Sequence, residues 1–138
     1  MEPLNVSITI TATVSDEGTT VSKYDGLLRV EGGVARISYT EEDEGGARTS
    51  TLLTIGGGEV SLVRRGAVSF STVYREGYTH KSLYSLAGLS FDAEVATERL
   101  TVLPSALPAF DCIYTLTLGG EARRFALSLR LAKKEGAS

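Results

Sequence analysis

Few side chains in this chain could do chemistry, and their spacing narrows the choice further. There is one histidine, one cysteine and six tyrosines. His80 alone cannot make a histidine metal site, and Cys112 alone can make neither a thiolate cluster nor an internal disulfide. No Gly-x-Ser-x-Gly elbow occurs that could present a nucleophilic serine. Asp92, Glu94 and Glu98 fall among the polar positions of an alternating run, so a facing pair of acid and base carboxylates is not expected. The residues compose no catalytic constellation, and neither a metal nor a cofactor is expected.

Arg64, Arg65, His80 and the tyrosines remain, and they are densest between Gly56 and Gly88. Gly66, Gly77 and Gly88 cut that stretch into short runs of alternating apolar and polar residues. In successive runs one face carries Val60, Leu62 and Arg64; the next carries Val68, Phe70, Thr72 and Tyr74; the next carries Tyr78, His80, Ser82, Tyr84 and Leu86. If those faces share one interior, Arg64, Tyr74, His80 and Tyr84 line one wall of a cavity. A planar guanidinium beside tyrosine hydroxyls suits the carboxylate or phosphate of a small amphipathic or anionic ligand. His80 could change charge near neutral pH. The same residues have plainer roles: Arg64 paired with a carboxylate at the strand end, His80 bonded to backbone or a hydroxyl, the aromatics filling a core, Cys112 an inert buried thiol.

The elements that must position these side chains are strands. Helical periodicity is almost absent, and two-residue alternation runs nearly throughout. Val6, Ile8, Ile10, Ala12 and Val14 alternate with Asn5, Ser7, Thr9, Thr11 and Thr13, which predicts a strand over Asn5–Ser15 with one wet face. Further strands are predicted over Lys23–Glu31, Val34–Thr40, Ala47–Ile55, Glu59–Arg65, Ala67–Arg75, Tyr78–Leu86, Leu89–Val102, Phe110–Leu118 and Glu121–Ala132. Gly32-Gly33 and Gly119-Gly120 supply the backbone freedom of tight hairpins. After Ala96 the apolar phase flips to Leu100 and Val102, the mark of a bulge or corner. Pro104 and Pro108 bracket a loop with room for a short helical turn. The run Glu41-Glu42-Asp43-Glu44-Gly45-Gly46 lacks the alternating oxygen ligands of a calcium loop and reads as a solvated, mobile turn. Gly56-Gly57-Gly58 reads as a hairpin turn rather than a phosphate cradle, because Ser61 stands where a dinucleotide fingerprint needs its third glycine and no helix follows.

About ten hairpin-linked strands predict an all-β fold, a single antiparallel and mostly up-and-down β-barrel. The 138 residues, with 15 glycines and 3 prolines, suit one such domain, residues 1–138, with 133–138 a frayed tail. Net charge is −3, and the Arg64-Arg65 and Arg123-Arg124 pairs are diluted by acid, so no nucleic-acid partner is expected. No apolar run reaches the roughly 18 residues of a membrane span and no signal peptide is apparent, so the expected location is cytoplasmic.

From about Thr20 onward the chain resembles the YwiB-like family of bacterial domains of unknown function. The resemblance rests on Ser38-Tyr39-Thr40-Glu41, the Thr-rich Thr49–Thr54, Arg64-Arg65-Gly66-Ala67-Val68, the turn at Gly77, and Tyr84 followed by Gly88. Ser85-Leu86-Ala87 stands where members often carry Thr-Pro. The resemblance implies a calycin-type, lipocalin-like barrel and no particular activity. Two functions follow: non-enzymatic binding of a small ligand inside a hollow barrel, or a filled barrel acting as an interaction module, with outward Thr faces, an acidic loop and a homodimer possible through a strand edge.

Overall fold

The computed structural model describes residues 3–103 and 105–134. It contains ten strands: β1 (Leu4–Val14), β2 (Gly18–Glu31), β3 (Val34–Glu42), β4 (Arg48–Gly56), β5 (Glu59–Gly66), β6 (Val68–Tyr74), β7 (Thr79–Leu86), β8 (Leu89–Leu103), β9 (Ala109–Leu118) and β10 (Glu121–Lys133). Each pairs antiparallel with its neighbours in sequence, and β1 pairs with β10 to close the barrel. Among the described residues there is no helix.

The alternation that defines each strand also decides which residues meet inside. Val6, Ile8, Ile37, Val60, Val95, Phe110, Cys112 and Leu129 are almost fully withdrawn from solvent, each at an inward position of its strand. Burying such side chains contributes roughly 1.5–3 kcal/mol apiece for the larger ones. Burial pushes the Cys112 thiol up to about 12, as befits an inert core cysteine. At Gly32-Gly33 both φ angles are positive, 56° and 78°. That geometry matches the right-handed twist of the flanking strands, and only glycine adopts it without strain. The phase change after Ala96 is a register shift between Thr97 and Arg99 against β9.

Several expectations are corrected. The connection after β8 runs through Ser105–Leu107 as bends, with no helical turn, while Pro104 lies outside the described residues. Lys133 and Lys134 are not frayed. Lys133 pairs with Val6, and Lys134 holds Asp25 at 2.8 Å while its amide donates to the Asn5 carbonyl, so the closing ladder carries the chain further. Residues 135–138 lie outside the described region. Not all threonines face out, since Thr49, Thr51, Thr72 and Thr97 are buried inside.

Gly26, in the interior of β2, has a packing role rather than a turn role. It stands opposite Val6 on one side and Tyr39 on the other. A Cβ there would lie 2.5 Å from the Ser38 carbonyl oxygen and 2.6 Å from Ile8 Cδ1. The missing side chain lets Ile8 and Tyr39 occupy the interior in front of β2. Gly26→Ala should therefore lower the unfolding free energy by about 2 kcal/mol, the range of overpacked cores. Gly45→Ala, whose Cβ would meet only Asp43 Oδ1 at 3.5 Å, should stay within about 0.5 kcal/mol. Urea unfolding of the two variants checks both values.

Candidate functional site

The inward faces of β1 to β6 and of β9 and β10 leave a cavity of about 300 Å³ inside the barrel. Its two sides differ in chemistry. Ile10 and Ala12 of β1, Leu127 and Leu129 of β10, and Phe110 of β9 make an apolar wall. Ser22 and Tyr24 of β2, Glu41 of β3 and Arg64 of β5 make a polar one, with Tyr39, Leu53, Leu62, Tyr74 and Tyr114 completing the lining.

The polar wall is organised around Glu41. Arg64 Nη2 lies 3.0 Å from Glu41 Oε2, with both side chains about one quarter exposed (24% and 25%). Thr51 Oγ1 donates to the same oxygen at 2.9 Å, and the Tyr24 hydroxyl donates to Oε1 at 3.3 Å. Arg64 Nε is buried and has no hydrogen-bond partner among the described residues. The Tyr24 and Tyr39 rings stack at 4.7 Å, which fixes the Tyr24 hydroxyl over the carboxylate. Deeper in the barrel, Tyr74 packs against Tyr114 at 4.9 Å, and Tyr114 stacks on Phe125 at 5.1 Å.

Of the four residues predicted to share a wall, Arg64 and Tyr74 line this cavity; His80 and Tyr84 do not. Tyr84 is half-buried, 5.5 Å from Phe70, and serves as core. His80 lies opposite Val95, a buried residue, and so on the inward face of β7. Its Nδ1 is buried without the expected backbone or hydroxyl partner, as are Ser82 Oγ, Thr72 Oγ1 and Thr97 Oγ1. The β6–β7 ladder pairs only Val68 with Leu86 and Ser69 with Ser85. The bulky Phe70 and Tyr74 fill the inward side of β6, and the open space lies against Tyr74, bounded by β1–β5, β9 and β10.

Arg64 does pair with a carboxylate, and the partner is one the sequence reading left outside the site. Glu41 belongs to β3, not to the acidic turn, which runs through Asp43–Ala47. The signal was present: Ile37, Tyr39 and Glu41 keep one parity, so Glu41 had to face inward if the strand ran one turn of alternation further. Tyr24 was missed because the predicted strand began only at Lys23; β2 begins at Gly18 and puts Tyr24 in its middle.

A second, wider concavity of about 700 Å³ lies on the outside of the barrel. Register sets Leu27, Ser38, Leu52 and Val63 in one row across β2–β5. Asp25 and Arg65 flank it on the outer β2 and β5 strands. Among the described residues, no group of three or more His, Cys, Asp or Glu side chains could hold a metal ion, and no helix is long and apolar enough to cross a membrane.

A closed antiparallel barrel of ten strands with an amphipathic interior is therefore the class of molecule in hand. Residues 6–128 match the profile of the domain of unknown function DUF1934, and the chain belongs to that family. The fold is similar to the crystal structure of the YwiB protein from Bacillus subtilis, with a TM-score of 0.79 and 16% identity over 95% of this chain and 94% of that one. No curated protein matches the chain.

The interior tyrosines make stability depend on alkaline pH. Burial raises Tyr24, Tyr39 and Tyr74 above the ordinary value of 10.0 and pushes Tyr114 up to about 12. A group held protonated by the fold contributes stability below its unfolded value and loses it as pH rises towards the folded one. Unfolding free energy should thus be level in neutral solution, fall from about pH 10 and continue falling through pH 12. The tyrosinate absorbance of these four interior residues should rise together with the loss of the circular dichroism of the fold; ionisation of all the tyrosines in a still-folded protein would contradict this packing.

Proposed function

We propose that the barrel interior binds a small amphipathic ligand without chemical turnover. The observation that carries this reading is the 300 Å³ cavity, with the Arg64–Glu41 pair on one wall and aliphatic side chains on the other. That size is at the lower end of pockets that hold small molecules. Small barrels either fill their interior with side chains or keep room for one ligand, and the space here favours the second. The calycin-type resemblance supports the same reading. At roughly 30 Å³ for each water-sized group, the cavity takes a compact molecule of about ten non-hydrogen atoms. A long acyl chain or a tetrapyrrole exceeds it.

The test is a thermal-shift panel of compact aromatic and short-chain amphiphiles. A compound at 100 times its Kd should stabilise by about 2.7 kcal/mol. Leu62→Phe, which extends a ring into the cavity, should abolish the shift while the protein stays folded. A panel that shifts neither protein, or shifts both equally, overturns the reading.

A second reading, assembly of two copies, is favoured by one observation. Leu27 and Leu52 are 44% and 37% exposed in the outer row, between Asp25 and Arg65. In a face-to-face pair related by a two-fold axis along the strands, each Asp25 meets the other copy's Arg65. Sedimentation should then give a dimer that Leu52→Lys dissociates; a monomer at all concentrations rejects this assembly.

A further inference from the structure

We infer that Glu41 makes the interior site select a ligand with no net charge, whose polar end both donates and accepts hydrogen bonds, and reject the isosteric anion. This inference rests on the interior-binding reading above. An arginine facing a cavity ordinarily invites a carboxylate or phosphate, through paired donors on its planar fork. Here that fork is already engaged. Arg64 Nη2 lies 3.0 Å from Glu41 Oε2 on the lining of the same cavity, so the wall carries one positive and one negative charge. An incoming anion would meet the Glu41 carboxylate as well as the guanidinium, and like charges brought together in a partly buried site are disfavoured.

The remaining hydrogen-bonding capacity is mixed. Arg64 Nε is a buried donor with no partner among the described residues, which is costly unless something accepts from it. Glu41 has about four lone-pair sites, of which Arg64, Thr51 and Tyr24 occupy three. The Ser22 hydroxyl can act either way. A donor and an acceptor side by side fit a primary amide, a hydroxyl or a similar neutral group, with its apolar body against Leu127 and Leu129. The pair is weak support for stability in itself, since half-buried ion pairs are often replaceable by apolar residues without loss. Discrimination between ligands gives it a role.

The experiment uses two probes of the same shape, para-ethylbenzamide and para-ethylbenzoate, with binding measured by titration calorimetry. The wild-type protein should bind the amide at least about tenfold more tightly than the carboxylate. Glu41→Gln keeps the side-chain shape and one of the two acceptor oxygens, so either the Tyr24 or the Thr51 hydroxyl retains its partner; it removes the charge that neutralises Arg64, and it should invert the order. Glu42→Gln, at an exposed residue that faces Arg48, should leave the order unchanged. Carboxylate binding as tight as amide binding in the wild-type protein overturns this inference while the interior site stands. Failure of both probes to bind either folded protein overturns the inference and the interior site with it. The wild-type ratio decides alone should Glu41→Gln not fold.

Discussion

Closure of the barrel through β1 and β10 is the constraint on which the rest depends. The ladder runs from Val6 opposite Lys133 to Val14 opposite Phe125 and joins the two ends of the meander. Without it, two long strands would each expose a row of unpaired amide and carbonyl groups. With it, every inward position of the strands faces a single shared interior. The circumference is then fixed by strand number and stagger, not by the side chains inside. The interior need not be filled, and whether it is depends on residue size.

Residue size is distributed unevenly around that interior. On β6 and β9, the inward side chains include Phe70, Tyr74, Phe110 and Tyr114, all buried, and the last three bound the open space. On β1 and β2, Ala12, Ser22 and Gly26 leave room. Ile8 takes the space in front of Gly26, and the space beside Ala12 and Ser22 stays open. Into that opening the fold places an arginine and a glutamate that could each have reached solvent from an outward position. Holding charges at an inward face costs desolvation, offset here by their mutual contact and by the Thr51 and Tyr24 hydroxyls. The site is thus a polar seam set into an aliphatic and aromatic shell, and its contents are decided jointly by volume and charge.

The strands were legible in the sequence because a period of two is unambiguous when it recurs in nearly every segment. The turn at Gly32-Gly33 and the phase change after Ala96 were read correctly, since each leaves a local mark in residue type or parity. What parity cannot give is depth. It put Arg64, Tyr74, His80 and Tyr84 on inward faces, but the separation of Tyr84 from the cavity depends on Phe70 packing against it. Nor does composition reveal that a residue in an acidic run belongs to a strand. Glu41 was hidden among Glu42, Asp43 and Glu44, and only its alignment with Ile37 and Tyr39 distinguishes it. Gly26 was silent for a related reason: a glycine that makes room for Ile8 looks like any other until the neighbouring strand is in place.

The central claim is that the closed barrel is hollow beside the Arg64–Glu41 pair. Xenon-pressurised methyl NMR tests it without presuming a ligand, because xenon settles against the apolar wall of an internal cavity. The account predicts pressure-dependent shifts confined to the methyls of Ile10, Leu53, Leu62, Leu127 and Leu129, which line the interior. Unmoved interior methyls, with any response limited to the exposed Leu27, Leu52 and Leu83, would contradict it.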